Sequence, residues 1–188
     1  APIWLVRMVR TGKIRTDWAG RFGWVRADLP PNARPKDGVP GPGLRRRVLL
    51  HAVSVGEVNA IRELVAMLAG AGRDVPMEIV VATTTDTGFA RAQVLWGEPT
   101  GAAQGSVRNQ PEGRPIAVVR YPFDFSFAID RLLRAIDPDV VVLVELEVWP
   151  NFTHACRRRG IPIGVVNGRL TERSFRRYRQ VRWLMRHA

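Results

Sequence analysis

Val48-Leu-Leu-His-Ala-Val53 and Val140-Val-Val-Leu-Val144 are short apolar runs with almost no alternation between apolar and polar residues. A strand with one face in water alternates, so runs this unbroken predict strands covered on both faces, as in a parallel sheet flanked by helices. Each run leads into an acid-bearing segment, Ser54-Val-Gly-Glu57 after the first and Glu145-Leu-Glu-Val-Trp-Pro-Asn151 after the second. In such sheets ligands are met beyond the carboxyl ends of the strands. Glu57 and Glu145 therefore stand where a substrate would meet the sheet.

Working outward, strands and helices alternate. Val58, Ile61, Leu64, Val65 and Leu68 fall at helical spacing and predict a helix over 56–71. The same reading gives strands over 77–82, 116–119 and 161–166, and helices over 87–95, 125–136, 150–159 and 172–186. Residues 97–115 are rich in Gly, Pro and Gln without periodicity and read as a surface loop. Five strands with helices between them imply right-handed crossovers and an α/β fold, a Rossmann-like doubly wound parallel sheet. The usual order puts strand one between strands two and four, with three and five at the edges. The crossovers then leave strands one and four on opposite faces and open a crevice that both acids would line.

The chain has 188 residues, 46% hydrophobic and 24% charged, which suits one globular domain and excludes disorder throughout. Its formal charge of +12 comes almost wholly from Arg, since Lys13 and Lys36 are the only lysines. Arginine's planar fork suits phosphate and carboxylate, so the balance points to an anionic partner: a phospholipid surface, a phosphorylated substrate or nucleic acid. Solvated surface arginines are the plainer account of the same count. Cys156 is alone, which excludes an intrachain disulfide and a CxxC metal site and fits a reducing compartment.

Residues 1–26 read as a basic arm, with Arg7, Arg10, Lys13, Arg15, Arg21 and Arg26 set against Asp17 alone. The apolar start at 2–10 is far short of the roughly 20 residues that span a bilayer. It reads as the end of a membrane anchor, as an interfacial helix, or as a frayed terminus. Residues 27–46 form a Pro/Gly-rich linker, and 47–188 the compact domain.

Ser54-Val-Gly-Glu57 has one glycine where a dinucleotide-binding turn carries Gly-x-Gly-x-x-Gly, and it makes a poor phosphate cradle. Glu57 lies in the first helical turn, where the helix N-terminus favours the anion and burial opposes it; such a group suits a general base. The same spacing also fits a capping box between Ser54 and Glu57, and both readings stand. Glu145 and Glu147 project to one side of the chain, and Trp149-Pro150 stops the strand and starts a helix. No His pair or third acid accompanies the acids at ligand spacing, so no metal site is expected. His51 reads as a core residue, and His154 and His187 are given no role. Asn167-Gly-Arg-Leu-Thr-Glu-Arg-Ser174 follows strand five at the same edge, where Arg169 and Arg173 would meet an anionic substrate or lie solvated on a basic helix.

Together these segments resemble the N-terminal half of the Kdo transferases, which add 3-deoxy-D-manno-octulosonic acid to a lipid A precursor. The resemblance rests on His51-Ala-Val-Ser-Val-Gly-Glu57, Tyr121-Pro-Phe-Asp124, Glu145-Leu-Glu-Val-Trp-Pro-Asn151 and Asn167-Gly-Arg-Leu-Thr-Glu-Arg-Ser174. Pro2-Ile-Trp4 and Trp18-Ala-Gly-Arg-Phe-Gly23 extend it into the arm. Gly168 and Thr171 replace the Ala and Ser usual in the family. The resemblance implies a GT-B glycosyltransferase whose N-terminal domain receives the lipid acceptor, while a C-terminal domain, expected to be absent here, binds CMP-Kdo. It makes Glu57 the general base of an inverting transfer without metal or cofactor. It makes Glu145 a second active-site acid, with Ser54, Gly56, Asn167 and Arg169 as substrate-binding residues. It also implies work at the cytoplasmic face of the bacterial inner membrane, with the arm on anionic lipid. A different GT-B transferase, or an Arg-rich module that binds membrane or RNA, would share the charge. Trp149 and Phe152 sit in an acidic turn rather than among basic residues, so nucleic acid is not expected.

Overall fold

The computed structural model describes residues 16–25, 29, 46–71, 77–97, 116–145 and 148–168. The helix expected over 172–186, Arg169, Glu147, most of the linker, most of the 97–115 stretch and the first 15 residues lie outside them. The elements are α1 (Trp18–Arg21), β1 (Arg46–Ala52), α2 (Val55–Ala60), α3 (Arg62–Ala71), β2 (Met77–Thr83) and α4 (Asp86–Trp96). They continue with β3 (Ile116–Arg120), α5 (Ser126–Ile136), β4 (Val140–Val144), α6 (Pro150–Arg158) and β5 (Ile163–Val166).

The sheet order is β3-β2-β1-β4-β5, the order expected, and every neighbouring pair is parallel. Alternate residues of the apolar runs fill two cores. Leu49, Val141 and Leu143 join Ile129, Leu132 and Leu133 of α5 and Phe152 of α6 on one face. Val48, Leu50 and Ala52 join Val58, Val65 and Trp96 from α2, α3 and α4 on the other. This double burial is why the runs are apolar apart from His51: a polar side chain on either face loses its water and must find a partner, as His51 does in Thr84. Because α2–α4 lie on one face and α5–α6 on the other, the crossovers diverge between β1 and β4.

Two of the boundaries that differ from the periodicity have a local cause. The helix expected over 56–71 is broken at Ile61, whose backbone (φ −91°, ψ 3°) closes α2 before α3 begins. Val58, Ile61 and Val65 are all buried, so the apolar face runs unbroken through the break, and spacing reports only that face. β5 starts at Ile163 rather than 161, because the Ile161 amide donates to Cys156 O (2.9 Å) and closes α6. Gly160 supplies the positive φ of 67° which that helix end requires.

The second half of the basic arm is part of this domain. Arg21 is fully buried; it donates through Nε to Thr16 O, through Nη1 to Thr84 O (2.9 Å) and through Nη2 to Asp86 Oδ1 (2.7 Å). Arg120, also buried, reaches the same Asp86 oxygen at 3.0 Å, and Thr16 Oγ1 donates to it at 2.7 Å. Burial lowers both guanidinium pKa values, and Asp86 opposes the shift. A Cβ on Gly23 would stand 2.2 Å from Ala128 O, so α5 receives the arm at van der Waals distance. Among the described residues no helix is long and apolar enough to cross a membrane.

Candidate active site

The turn from β1 into α2 is built around the Glu57 carboxylate. The Val53 amide donates to Oε2 (2.7 Å) and the Ser54 hydroxyl to Oε1 (2.9 Å), leaving Glu57 7% exposed. Only half of a capping box is present: the acid reaches back, but the Ser54 hydroxyl caps no amide of α2. Burial raises the Glu57 pKa above the ordinary glutamate value. The hydrogen bonds from Val53 and Ser54 oppose that rise, and the charge of Glu145 adds to it. A carboxylate so held has an increased proton affinity, which is what a general base needs.

Glu145 arrives from the neighbouring strand. His51 of β1 pairs with Leu143 of β4, so two residues further on Val53 and Glu145 leave the sheet side by side. The Glu145 amide donates to Val166 O (2.8 Å), while its φ of 61° lies in the left-handed region. That conformation costs a non-glycine residue on the order of 1–3 kcal/mol. Asn167, at the end of β5, has φ 52° and is exposed. Among the described residues, the other two positive-φ residues that are not glycine, Asp17 and Asp137, are helix caps, so the strain left over there sits at the carboxyl edge. Gly56 has no positive φ, and a Cβ there would meet only Ser54 Oγ at 3.8 Å. The protein's own packing does not require a glycine at that position.

Beneath the edge lies an aromatic floor. The His51 ring stacks on Tyr121 at 3.8 Å, and Tyr121 in turn meets Phe152 (5.4 Å) and Trp149 (6.0 Å). Complete burial pushes the His51 pKa down to about 3, so the imidazole is neutral, with Nε2 3.2 Å from Thr84 Oγ1. The sequence reading of His51 as a core residue matches this placement. A cleft of about 690 Å³ lies elsewhere, between α1, α4 and β3, and neither Glu57 nor Glu145 lines it.

Two residues with structural work at this edge escaped the sequence reading. Asp124 accepts from the amides of Asn151 (3.1 Å) and Phe152 (3.0 Å), and Asn151 Nδ2 donates back to Asp124 O (2.5 Å). Trp149, the residue in the N-cap position of α6, has no side-chain oxygen, so a carboxylate from the β3–α5 turn caps the helix in its place. Thr85 holds Val53 from the other side, donating its amide (3.1 Å) and its hydroxyl (3.0 Å) to Val53 O. The repeated Thr83-Thr-Thr-Asp-Thr87 after an apolar strand was the available signal for the second. The Tyr121-Pro-Phe-Asp124 segment was the signal for the first.

Residues 16–188 match the family described as 3-deoxy-D-manno-octulosonic-acid transferase (kdotransferase). The chain is 32% identical over 178 residues to a 3-deoxy-D-manno-octulosonic acid transferase of Haemophilus influenzae, covering 93% of this chain and 34% of that protein. A protein of the same name from Bordetella pertussis is 32% identical over 187 residues, covering 97% of this chain and 37% of its own length. A bifunctional glycosyltransferase/methyltransferase of Fusobacterium nucleatum is 31% identical over 139 residues, 74% of this chain and 19% of that protein. The chain thus spans about a third or less of the length of these curated relatives.

Proposed function

Since the chain belongs to the 3-deoxy-D-manno-octulosonic-acid (Kdo) transferase family, we propose that it forms the acceptor-side domain of an inverting GT-B glycosyltransferase. The donor is CMP-Kdo, bound by a partner domain, and the acceptor is a lipid A precursor in lipopolysaccharide biosynthesis. Glu57 takes the proton from an acceptor hydroxyl as that oxygen bonds to the anomeric carbon of Kdo. The bond from that carbon to cytidine monophosphate breaks, and the nucleotide leaves with the electron pair. Glu145 lines the same edge as a second acid and keeps the Glu57 proton affinity high. Ser54 orients the base, Gly56 leaves room for the acceptor over the turn, and Asn167 and Arg169 complete the substrate surface. No metal or cofactor takes part in this scheme. The enzyme works on the cytoplasmic face of the bacterial inner membrane, with the arm's basic residues other than buried Arg21 on anionic lipid, each worth about 1 kcal/mol close to that surface.

The observation that carries this reading is the Glu57 carboxylate itself, buried at the strand end, satisfied on both oxygens, and within reach of the charge of Glu145. Glu57→Gln in the full-length transferase, assayed with CMP-Kdo and a lipid A precursor, should lower kcat by at least about 100-fold with acceptor binding little changed. Turnover within a few-fold of the parent enzyme would reduce Glu57 to the helix-capping role.

A further inference from the structure

Among the described residues, the hydrogen bonds that fix the Glu57 carboxylate come from Val53 and Ser54, and these two residues lie in a turn of irregular backbone. The turn is held from outside by α4. The Val53 carbonyl accepts both the amide and the hydroxyl of Thr85, at 3.1 and 3.0 Å. That carbonyl lies between the two donors to Glu57, the Val53 amide just before it and the Ser54 hydroxyl just after it. Fixing it aims both donors. Thr85 is itself fixed, because its hydroxyl accepts from the Gly88 amide (3.0 Å) and caps α4. A Cβ on Gly88 would stand 2.8 Å from Thr85 Oγ1 and 3.2 Å from Val53 O, so α4 approaches the turn as closely as a residue without a side chain allows.

We propose that Thr85 is a positioning residue for Glu57, its hydroxyl and amide setting the Val53–Ser54 peptide that orients the carboxylate. This rests on Glu57 being the base, and it adds a residue outside both acid-bearing segments to the working parts of the site. Thr85 is the N-cap of α4, two residues beyond β2, too far along the chain for any local motif to join it to Glu57. A residue that only caps α4 would change stability and leave Glu57 untouched, so the two roles separate by experiment.

The titration of Glu57 is the direct readout. It is followed by carbon-13 carboxyl NMR of the 188-residue chain, with Glu57→Gln identifying the signal. Thr85→Val, which removes the hydroxyl and keeps the shape, should raise the Glu57 pKa, because the bonds from Val53 and Ser54 that lower it lose their alignment. Thr85→Ser, which keeps the hydroxyl, should return it to the parent value. Other charged groups on the packed elements are the same in both variants: Glu145 after β4, Asp86 of α4 paired with Arg21 and Arg120, Arg91 of α4 on Asn59, and neutral His51 of β1. In the full-length transferase Thr85→Val should lower kcat by about 10-fold or more, within the roughly 100-fold that a 1 Å displacement at a reacting centre can cost, with KM little changed and activity restored by Ser. Thr85→Ala provides a second hydroxyl deletion should valine prevent folding. An unchanged Glu57 titration in a folded hydroxyl deletion would overturn the proposal. Full turnover in Glu57→Gln would instead overturn Glu57 as base, while the NMR titration would still decide whether Thr85 orients it.

Discussion

A single carboxylate at this edge has its preferences set by opposing forces, of which burial is the largest. Burial and the neighbouring Glu145 disfavour the Glu57 anion, and the bonds from Val53 and Ser54 favour it. The acid and its strand-end position were legible in the sequence, because the chain announces them locally: an apolar run, then Ser-x-x-Glu. The bonds that decide its chemistry were not, since Thr85 acts from the start of α4 through a backbone carbonyl, and any residue type presents that same carbonyl. Gly56 illustrates the converse. Alanine there meets no clash and should raise helix stability by roughly 0.5–1 kcal/mol in thermal or denaturant unfolding, as for glycine to alanine inside a helix. If the space over the turn belongs to the acceptor, the same Gly56→Ala change should reduce kcat/KM in the full-length transferase. A variant both less stable and fully active would show that the glycine serves the fold.

At the scale of elements, the five strands and their order followed from double burial, since unbroken apolar runs have few alternatives to a covered parallel sheet. Helix boundaries were less legible, as Ile61 and Ile161 show: apolar spacing records which side chains are buried and is silent on which carbonyl each amide finds. The start of α6 is the sharper case. Its cap, Asp124, comes from the turn after β3, so nothing within the helix sequence discloses it. Asp124→Ala should therefore cost about 0.5–2 kcal/mol of unfolding free energy, the range for losing an N-cap. Asn, which keeps one acceptor oxygen, should recover part of that loss. Chemical denaturation of both variants checks it. A loss below about 0.5 kcal/mol would mean that Trp149-Pro150 starts the helix unaided.

For the whole molecule, acid should unfold the protein earlier than its carboxylates alone would require. His51 has a folded pKa of about 3 against an ordinary value of 6.5, so between those values the unfolded chain binds the additional proton. Stability from this group is complete above about pH 6.5 and falls as pH drops toward 3, with a limiting slope of about 1.4 kcal/mol per pH unit. Glu57 and Asp124 contribute with the opposite sign, because burial raises their pKa values: their part is lost as pH rises through the carboxylate range. Unfolding free energies measured from pH 7 to 4 should thus flatten in His51→Gln relative to the parent. An equal slope in both proteins would place the acid sensitivity elsewhere. The buried seat of Arg21 on Asp86 has a practical consequence for anyone shortening the gene. A version starting after residue 26 would remove Thr16, Asp17 and Arg21 together, leaving Asp86 and buried Arg120 without that half of their network and uncovering Phe123. A version starting at Thr16 keeps Thr16, Asp17 and Arg21 on Asp86 and Arg120. A vesicle-binding comparison meant to isolate the arm's basic residues should therefore trim only the first 15, so that lost attachment is not mistaken for a damaged domain.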